Sequence, residues 1–363
     1  MSNPLDYIHW RGDLPFTTDP FNEVDNLILS MCSFLDLDGL VPPTVSGPQP
    51  TLREAMNWLD RRTGGNSKLA LLIPERVMDI MRCAAQSKRF GEVRVCAYVN
   101  RVDDVEVTQF SATTYLLPDL SLFLSFRGTD DSIAGWKENL NLCLDVPVPA
   151  EIRAVEYVTS VAQEHYGKLR LGGHSKGGHM SIRAAAGVPA KVQARIISAF
   201  SNDGPGFLPP FYDSPGYRAI RNRLTTLIPQ SSIVGTLLDQ DKRRCFLIRS
   251  TENGVMQHDP ISWQVDCRTF ERLPSRSRFG KITDEAFKQW IGSMSIEERK
   301  TVLSSVFDVL DSTGAKTLTE LDQSKLKNLL AMSRALREQP PETRKMMLGL
   351  FQTLFRLDDE IMQ

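Results

Sequence analysis

The chain has 363 residues, of which 41% are hydrophobic and 24% are charged. This composition is typical of folded globular proteins and excludes disordered, collagenous and fibrous classes. Its 43 basic and 44 acidic side chains give a net charge of −1, so no overall field would attract nucleic acid or an anionic membrane. We therefore expect no nucleic-acid partner.

Residues 1–6 have neither the basic start nor the apolar core of a secretory signal, and no stretch approaches the roughly 18 apolar residues that cross a bilayer. The 6 cysteines are dispersed without any Cys-x-x-Cys pair, which is typical of free thiols in a reducing compartment. The sequence therefore predicts a cytoplasmic protein without a transmembrane segment. We also expect no metal and no organic cofactor, because the cysteines and histidines show no convincing metal-ligand spacing.

The first third of the chain predicts mostly helices. The segments Leu27–Leu37, Thr51–Arg62 and Pro74–Ser87 have helical apolar spacing, and a proline-rich loop at 41–48 separates the first two. We expect residues 1–89 to form a mostly helical segment that packs on the core.

The pattern changes to strands near residue 90. Runs rich in β-branched and aromatic residues predict strands at Glu92–Val99, Val107–Leu116, Leu120–Phe126, Leu169–Leu171, Ala194–Phe200, Leu224–Ile228 and Cys245–Arg249. Helical spacing at Ala150–Tyr166 and Lys176–Ala186 falls between them. Strands that alternate with helices predict an α/β core at residues 90–279, a three-layer sandwich with a mainly parallel central sheet.

Beyond residue 280 the pattern is helical only. Ser295 with Glu298, and Thr317 with Glu320, have capping-box spacing. Apolar stripes are predicted at Val302, Leu303, Val306 and Leu310, at Leu326, Leu329 and Leu330, and at Met347, Leu350, Phe351 and Leu354. Residues 280–363 therefore predict a C-terminal helical annex.

The most specific motif is Gly173-His174-Ser175-Lys176-Gly177, a match to Gly-x-Ser-x-Gly between a predicted strand and a predicted helix. A serine on such a tight turn requires glycines two residues before and after it, because side chains there would collide with backbone. The turn exposes the hydroxyl and directs the next backbone amide toward a developing oxyanion. This context favours Ser175 as a nucleophile over an ordinary glycine-rich turn.

A serine nucleophile requires a histidine base, which follows it in chains with this elbow. Downstream of Ser175 are His179, in the helix after the elbow, and His258, in the loop after the last predicted strand. The position of His258 favours it as the base. We expect packing roles for His179 and for His174, which directly precedes Ser175. A loop histidine without a role is the alternative for His258.

Two stretches resemble the class 3, or fungal-type, lipases. Leu124–Asp130, Leu-Ser-Phe-Arg-Gly-Thr-Asp, followed by Trp136–Asn139, is similar to their oxyanion strand and loop, and the elbow resembles their Gly-His-Ser-Leu-Gly-Gly. This resemblance covers about residues 90–270 and implies an α/β-hydrolase-like fold. It also implies that the backbone amides of Thr129 and Lys176 are the oxyanion donors, with the Thr129 hydroxyl as a further donor. A polar turn that ends a strand is the alternative for the Thr129 region.

A narrower resemblance covers nearly the whole chain. Trp10–Leu14, Pro229–Gly235 and Gln257–Pro260 resemble segments shared by a bacterial family of lipase-like proteins described only as a domain of unknown function. This resemblance implies no particular substrate.

The catalytic acid departs from the lipase pattern. In class 3 lipases it lies in a segment like Asn-x-x-Asp-Ile-Val-Pro, and the matching stretch, Leu227–Gly235, has Ser232 in its place. A serine orients a neutral imidazole but does not stabilise imidazolium by charge. Asp203, after the preceding strand, is the first candidate replacement, followed by Asp239 and Asp259. A dyad in which Ser232 orients the histidine stays open.

These observations predict a serine hydrolase that cleaves a carboxylic ester, from a small-molecule, lipid-like or thioester substrate, through an acyl-enzyme on Ser175. A weak or inactive α/β-hydrolase scaffold used for binding is one alternative, supported by the missing acid. A hydrolase of amide or peptide bonds is the other, because these motifs do not distinguish it.

Overall fold

The structure, a computed structural model, describes residues 2–65, 76–144, 146–317, 319–320 and 325–347. Its centre is an eight-stranded sheet with the order β1-β2-β3-β4-β5-β6-β7-β10. These strands are Arg94–Asp103, Thr108–Leu116, Leu122–Phe126, Leu169–Gly173, Ile196–Asn202, Leu224–Pro229, Cys245–Ile248 and Arg272–Leu273. Strands β3 to β7 run parallel, whereas β1, β2 and β10 pair antiparallel with their neighbours.

All seven predicted strands are present in this sheet. The sequence did not predict β10 or the hairpin of β8 (Val265–Asp266) and β9 (Thr269–Phe270), because two residues are too few to show a period. The predicted α/β class with a mostly parallel sheet is confirmed.

The helices lie before, between and after the strands. In chain order α1 to α13 are Pro4–Arg11, Glu23–Cys32, Leu52–Thr63, Val77–Gln86, Ile133–Asn141, Pro149–Glu164, Lys176–Gly187, Ala190–Gln193, Pro209–Asp213, Pro215–Ile220, Arg278–Gly292, Ile296–Asp311 and Lys325–Glu338. Residues 341–347 are also helical.

Helix α2 begins before the predicted Leu27 and ends before the predicted Leu37. Its start is fixed by Asn22, whose side chain accepts hydrogen bonds from the amides of Val24 and Asp25, while the Asp25 carboxylate accepts one from the Asn22 amide. The prediction followed apolar spacing and overlooked this reciprocal cap.

Strand β3 shows why both faces of the sheet are covered. Phe123 belongs to the apolar cluster formed with the N-terminal helices, whereas Leu122 and Leu124 belong to the cluster formed with α6 and α7. Successive side chains of a strand point to opposite faces, so a strand buried on both faces has a continuous apolar run. Helices on both faces make the predicted three layers.

The N-terminal helices are joined by a buried ion pair. Arg89, which is 2% exposed, donates from Nε to Oδ1 of the fully buried Asp25 over 2.7 Å. The Arg89 backbone amide donates to Gly12 O and its Nη1 to Leu14 O, at 2.8 and 3.0 Å. Residues 10–14, one of the motifs in the sequence, are thereby fixed to the loop after α4.

The C-terminal annex has its own small core. Met294, Val302, Val306, Val309 and Met347 are buried together there. The Ser295 capping box is formed, and Thr317 Oγ1 accepts from the Glu320 amide. The boundaries at 89/90 and 279/280 stay predictions.

One predicted stripe of the annex is wrong. Leu329 and Leu330 are 61% and 72% exposed, whereas Met332 and Leu336 of the same helix pack on the annex core. Spacing alone defined a face without showing what that face contacts. The Leu326 side chain and the residues from 348 onward, including Leu350, Phe351 and Leu354, lie outside the described part. Within that part, no helix is both long and apolar enough to span a bilayer.

Replacing Arg89 with Met should lower the free energy of unfolding by about 3–5 kcal/mol, because it leaves the Asp25 carboxylate buried and unpaired. The matched control is Arg218→Met, since Arg218 and its partner Asp213 are 62% and 78% exposed. The control should change stability by no more than about 1 kcal/mol. Urea denaturation of both variants measures the difference, and equal losses would contradict the anchoring role.

Candidate active site

The candidate nucleophile lies between the end of β4 and the start of α7. Ser175 has φ 59° and ψ −133°, a conformation that residues with a side chain rarely adopt. Its backbone amide donates to Asn202 O at the end of the neighbouring strand β5, over 3.0 Å. The turn is therefore held against β5 while the serine is in a strained backbone conformation.

The two glycines of the elbow have no room for a side chain. A Cβ atom on Gly173 would lie 2.3 Å from the Gly177 carbonyl carbon, and one on Gly177 would lie 2.0 Å from Phe126 O at the end of β3. Any other residue at these two positions would therefore collide with backbone, as the motif predicted. Because glycine has no side chain, the first turn of α7 can approach the end of β3 this closely.

His258 and Asp203 are brought together although 55 residues separate them. The Nδ1 atom of His258 is 2.7 Å from Oδ2 of Asp203, whose side chain is fully buried, while the His258 side chain is 20% exposed. Because a carboxylate only accepts, it fixes the proton on Nδ1 and leaves Nε2 as the acceptor.

The carboxylate of Asp203 is enclosed by the segment after β6. Its Oδ1 atom is buried without a hydrogen-bond partner among the residues that the structure describes, and a Cβ atom on Gly235 would lie 2.4 Å from it. The Asp203 backbone has φ 52° and its amide donates to Leu227 O over 2.8 Å. The Pro229–Gly235 motif thus lies against the candidate acid, although the motif itself contains no carboxylate.

The other acid candidates have different partners. Ser232 is buried, and its Oγ accepts from the Gly235 amide over 3.1 Å, which closes a turn. Asp259 forms an ion pair with Arg76, and Asp239 lies 3.6 Å from Lys288. Among the described contacts of His258, Asp203 is the one carboxylate.

The two remaining histidines of the elbow region are buried and have protein partners. The His174 ring lies 4.3 Å from the His258 ring, and its Nε2 contacts His258 O at 2.9 Å. Burial lowers the pKa of His174 well below 6.5, with a smaller effect of His258. The His179 ring contacts Gly206 O through Nδ1 and Glu151 through Nε2. Both fit the packing roles expected from the sequence.

The loop after β3 lies directly against the elbow. A Cβ atom on Gly128 would lie 3.2 Å from Ser175 Cβ and 2.9 Å from His174 O. Thr129 follows in this loop, and Lys176 is the first residue of α7. Neither of their backbone amides donates a hydrogen bond to any residue that the structure describes. Within the described part of the chain, both amides are therefore unpaired.

A family model described as Mbeg1-like matches residues 84–308, more than half of the chain. The chain belongs to the Mbeg1-like family. This family is lipase-like, which agrees with the resemblance of the oxyanion strand and the elbow. The comparison with curated proteins finds no match.

Three solved lipase structures align with this family member at low similarity. The M37 lipase is 14% identical, with a TM-score of 0.37, and 60% of this chain and 70% of that chain are covered. The Rhizomucor miehei lipase in its native propeptide complex is 12% identical, with a TM-score of 0.34 and coverage of 62% and 68%. The extracellular lipase LipA from Serratia marcescens is 13% identical, with a TM-score of 0.27 and coverage of 67% and 41%.

Several residues around the site had no role in the sequence analysis. Glu138, Asn139 and Gln257 lay within quoted motifs but had no role assigned to them, whereas Gln109 carried no signal. Gln257 is fully buried, and its Oε1 accepts from the Ser231 amide over 2.7 Å. It therefore ties the His258 loop to the segment that encloses Asp203. Amide residues have no periodicity or spacing that would have predicted this contact.

A Gly235→Ala substitution should lower the free energy of unfolding by about 1–3 kcal/mol, because the new methyl group overlaps the buried Asp203 carboxylate. Gly292→Ala is the matched control, since a Cβ atom there meets nothing within 4 Å and its φ is not positive. Thermal or urea unfolding of both variants tests the close approach. Equal stability of the two variants would show that the carboxylate is not confined by this segment.

Proposed function

We propose that this chain is a serine hydrolase that cleaves carboxylic esters through an acyl-enzyme on Ser175. The observation that carries the proposal is the 2.7 Å contact between His258 Nδ1 and the buried carboxylate of Asp203. The next residue, Gly204, lies against the strained turn of the serine, since a Cβ atom on it would be 2.8 Å from Ser175 O. A nucleophile, a base and a group that orients the base form the arrangement that serine hydrolysis requires.

His258 has the role of the base in this proposal. The contact with Asp203 keeps the Nδ1 proton in place, so Nε2 is the acceptor for the Ser175 proton. The buried carboxylate also stabilises the imidazolium formed in the reaction, which a serine at position 232 would not do. Ser175 Oγ forms no hydrogen bond with the residues described, and such contacts often tighten only when substrate binds.

The backbone amides of Thr129 and Lys176 have the role of the oxyanion hole. Their availability supports this, because each is unpaired within the described residues and the Gly128 backbone lies against Ser175. Lys176 is also at the N-terminus of the 12-residue helix α7, where the helix dipole favours negative charge.

The reaction then has two halves. Ser175 Oγ bonds to the ester carbonyl carbon as its proton passes to His258 Nε2, and the carbonyl electrons move to the oxygen between the two amides. Collapse of this intermediate breaks the bond to the alcohol, which takes the proton from His258. Water repeats the sequence on the acyl-enzyme, releases the carboxylic acid and restores Ser175.

The lipase-like family supports an ester in preference to an amide. A thioester has the same carbonyl geometry and falls within the proposal.

The six cysteines are all free thiols, in keeping with the proposed location in the cytoplasm.

Ser175→Ala should abolish both labelling by a fluorophosphonate probe and hydrolysis of short p-nitrophenyl esters, because the attacking oxygen is lost. Ser304→Ala, at an exposed position of α12, is the control and should keep both. Labelling of the Ser175→Ala variant would contradict the assignment. A wild-type chain that neither labels nor hydrolyses any ester would favour the binding scaffold.

Asp203 and Ser232 are distinguished by their single substitutions. Asp203→Asn should lower kcat by about 10⁴, as the loss of an orienting carboxylate does in such triads. Ser232→Ala removes a turn hydrogen bond worth about 1 kcal/mol and should change kcat no more than several-fold. Steady-state kinetics on one ester gives both values. The reverse ranking would assign the orienting role to Ser232.

A further inference from the structure

The elbow departs from the lipase pattern at one position, where Lys176 replaces the leucine of Gly-His-Ser-Leu-Gly-Gly. Its side chain is 2% exposed, although it carries the charge of an ammonium group. The Nζ atom donates to Gln109 O over 2.7 Å and to Glu138 Oε2 over 2.8 Å. A lysine is almost never buried in this way unless it is paired.

The partner carboxylate is fully buried and saturated with donors. Glu138 Oε1 accepts from Thr108 Oγ1 and the Ala150 amide, at 3.0 and 2.8 Å. Its Oε2 accepts from the Gln109 amide, at 3.0 Å, and from Lys176 Nζ. Both oxygens thus have two donors, and this fixes the position of the carboxylate.

Helix α5 contacts the other candidate donor through the next residue. Asn139 Nδ2 donates to Thr129 Oγ1 over 2.7 Å. A Cβ atom on Gly135 would lie 3.1 Å from Thr129 Cγ2, so the first turn of α5 packs on Thr129. Glu138 and Asn139, adjacent in sequence, therefore hold Lys176 and Thr129 respectively.

We infer that helix α5 positions both oxyanion donors, with Glu138 holding Lys176 through a buried ion pair and Asn139 holding Thr129 through its hydroxyl. This rests on the proposed function. Glu138 and Asn139 are positioning residues, because neither supplies a donor to the oxyanion. One helix therefore holds both donor residues.

The surroundings leave little freedom for this arrangement. The chain after Lys176 cannot move toward β3, because the Gly177 α-carbon already lies against Phe126 O. Burial lowers the pKa of the Lys176 ammonium, and the Glu138 carboxylate opposes that shift. The Glu138 carboxylate therefore favours the charged form of Lys176, in addition to fixing its position.

The C-terminal annex contacts the same helix, α5. The Ile133 amide at the start of α5 donates to Lys316 O over 2.9 Å, and Lys137 Nζ lies 2.6 Å from Asp311 Oδ1. Ser132, the N-cap of α5, forms a β-bridge with Thr317. The described part of the annex thus contacts the N-terminal half of α5.

The test compares Glu138→Gln, Lys176→Met, their double variant and Asn139→Ala with Glu297→Gln, a control at a carboxylate that is 82% exposed and paired with Lys300. Thermal unfolding establishes that each variant folds. The readouts are kcat and KM on a p-nitrophenyl ester and the second-order rate of fluorophosphonate labelling.

Glu138→Gln and Lys176→Met should each lower kcat by about 10- to 100-fold with KM within about threefold, since complete loss of one oxyanion donor lowers kcat by about 10²–10³. The labelling rate should fall in parallel. The double variant should lose no more than the worse single variant, because both act through one contact. The Glu297→Gln control should match the wild type.

Folded single variants with kcat within twofold of wild type would overturn the inference, and so would a lower unfolding temperature with unchanged kcat. If Glu138→Gln fails to fold, Asn139→Ala tests the inference at the other donor residue, Thr129. It should lower kcat by about three- to tenfold, as loss of one neutral hydrogen bond does, and an unchanged kcat would overturn the inference. A wild type unreactive at Ser175 contradicts the proposed function as well, whereas a reactive wild type with unaffected variants contradicts the inference alone.

Discussion

The first turn of helix α7 lies against the end of strand β3, and the rest of the site depends on this contact. The Gly177 α-carbon is so close to Phe126 O that any side chain would overlap the backbone. The chain therefore reverses within the tight turn that leaves Ser175 at φ 59°. Strain of this kind persists only where the surrounding structure imposes it. Here β3 and β5 on either side of the turn supply that constraint.

Parallel strands end at the same edge of the sheet, so the loops that follow them lie beside one another. The chain leaves β3, β4, β5 and β6 at this edge, so Thr129, Ser175 and Asp203 come together although they are far apart in sequence. His258 enters from the loop after β7. Its position is fixed by contacts on both sides, namely the Asp203 carboxylate and the ring of His174.

Two buried ion pairs have different functions in the fold. Arg89 and Asp25 join the N-terminal helices and the segment at residues 10–14, far along the chain from the elbow. Lys176 and Glu138 join the elbow to α5. In each pair the carboxylate also accepts from backbone amides, or from hydroxyl groups such as that of Tyr7, which offsets the free energy of removing charge from water. Buried charge therefore fixes geometry at two places that apolar packing alone would leave less defined.

The α/β class, the seven main strands, the elbow and the lipase-like family could be predicted from the sequence, because each depends on a local pattern of residues. Apolar runs define strands that are buried on both faces, and a glycine two residues on either side of a serine defines a turn. The same local patterns gave wrong bounds for α2 and a wrong face for the helix that contains Leu329 and Leu330, where a cap and a packing partner decided the outcome. The carboxylate that lies beside His258 could be identified only from the folded structure, and so could the contacts of Glu138 with Lys176 and of Asn139 with Thr129. These contacts join residues from different helices, strands and loops, so their distances follow from how the elements pack and not from any spacing along the chain.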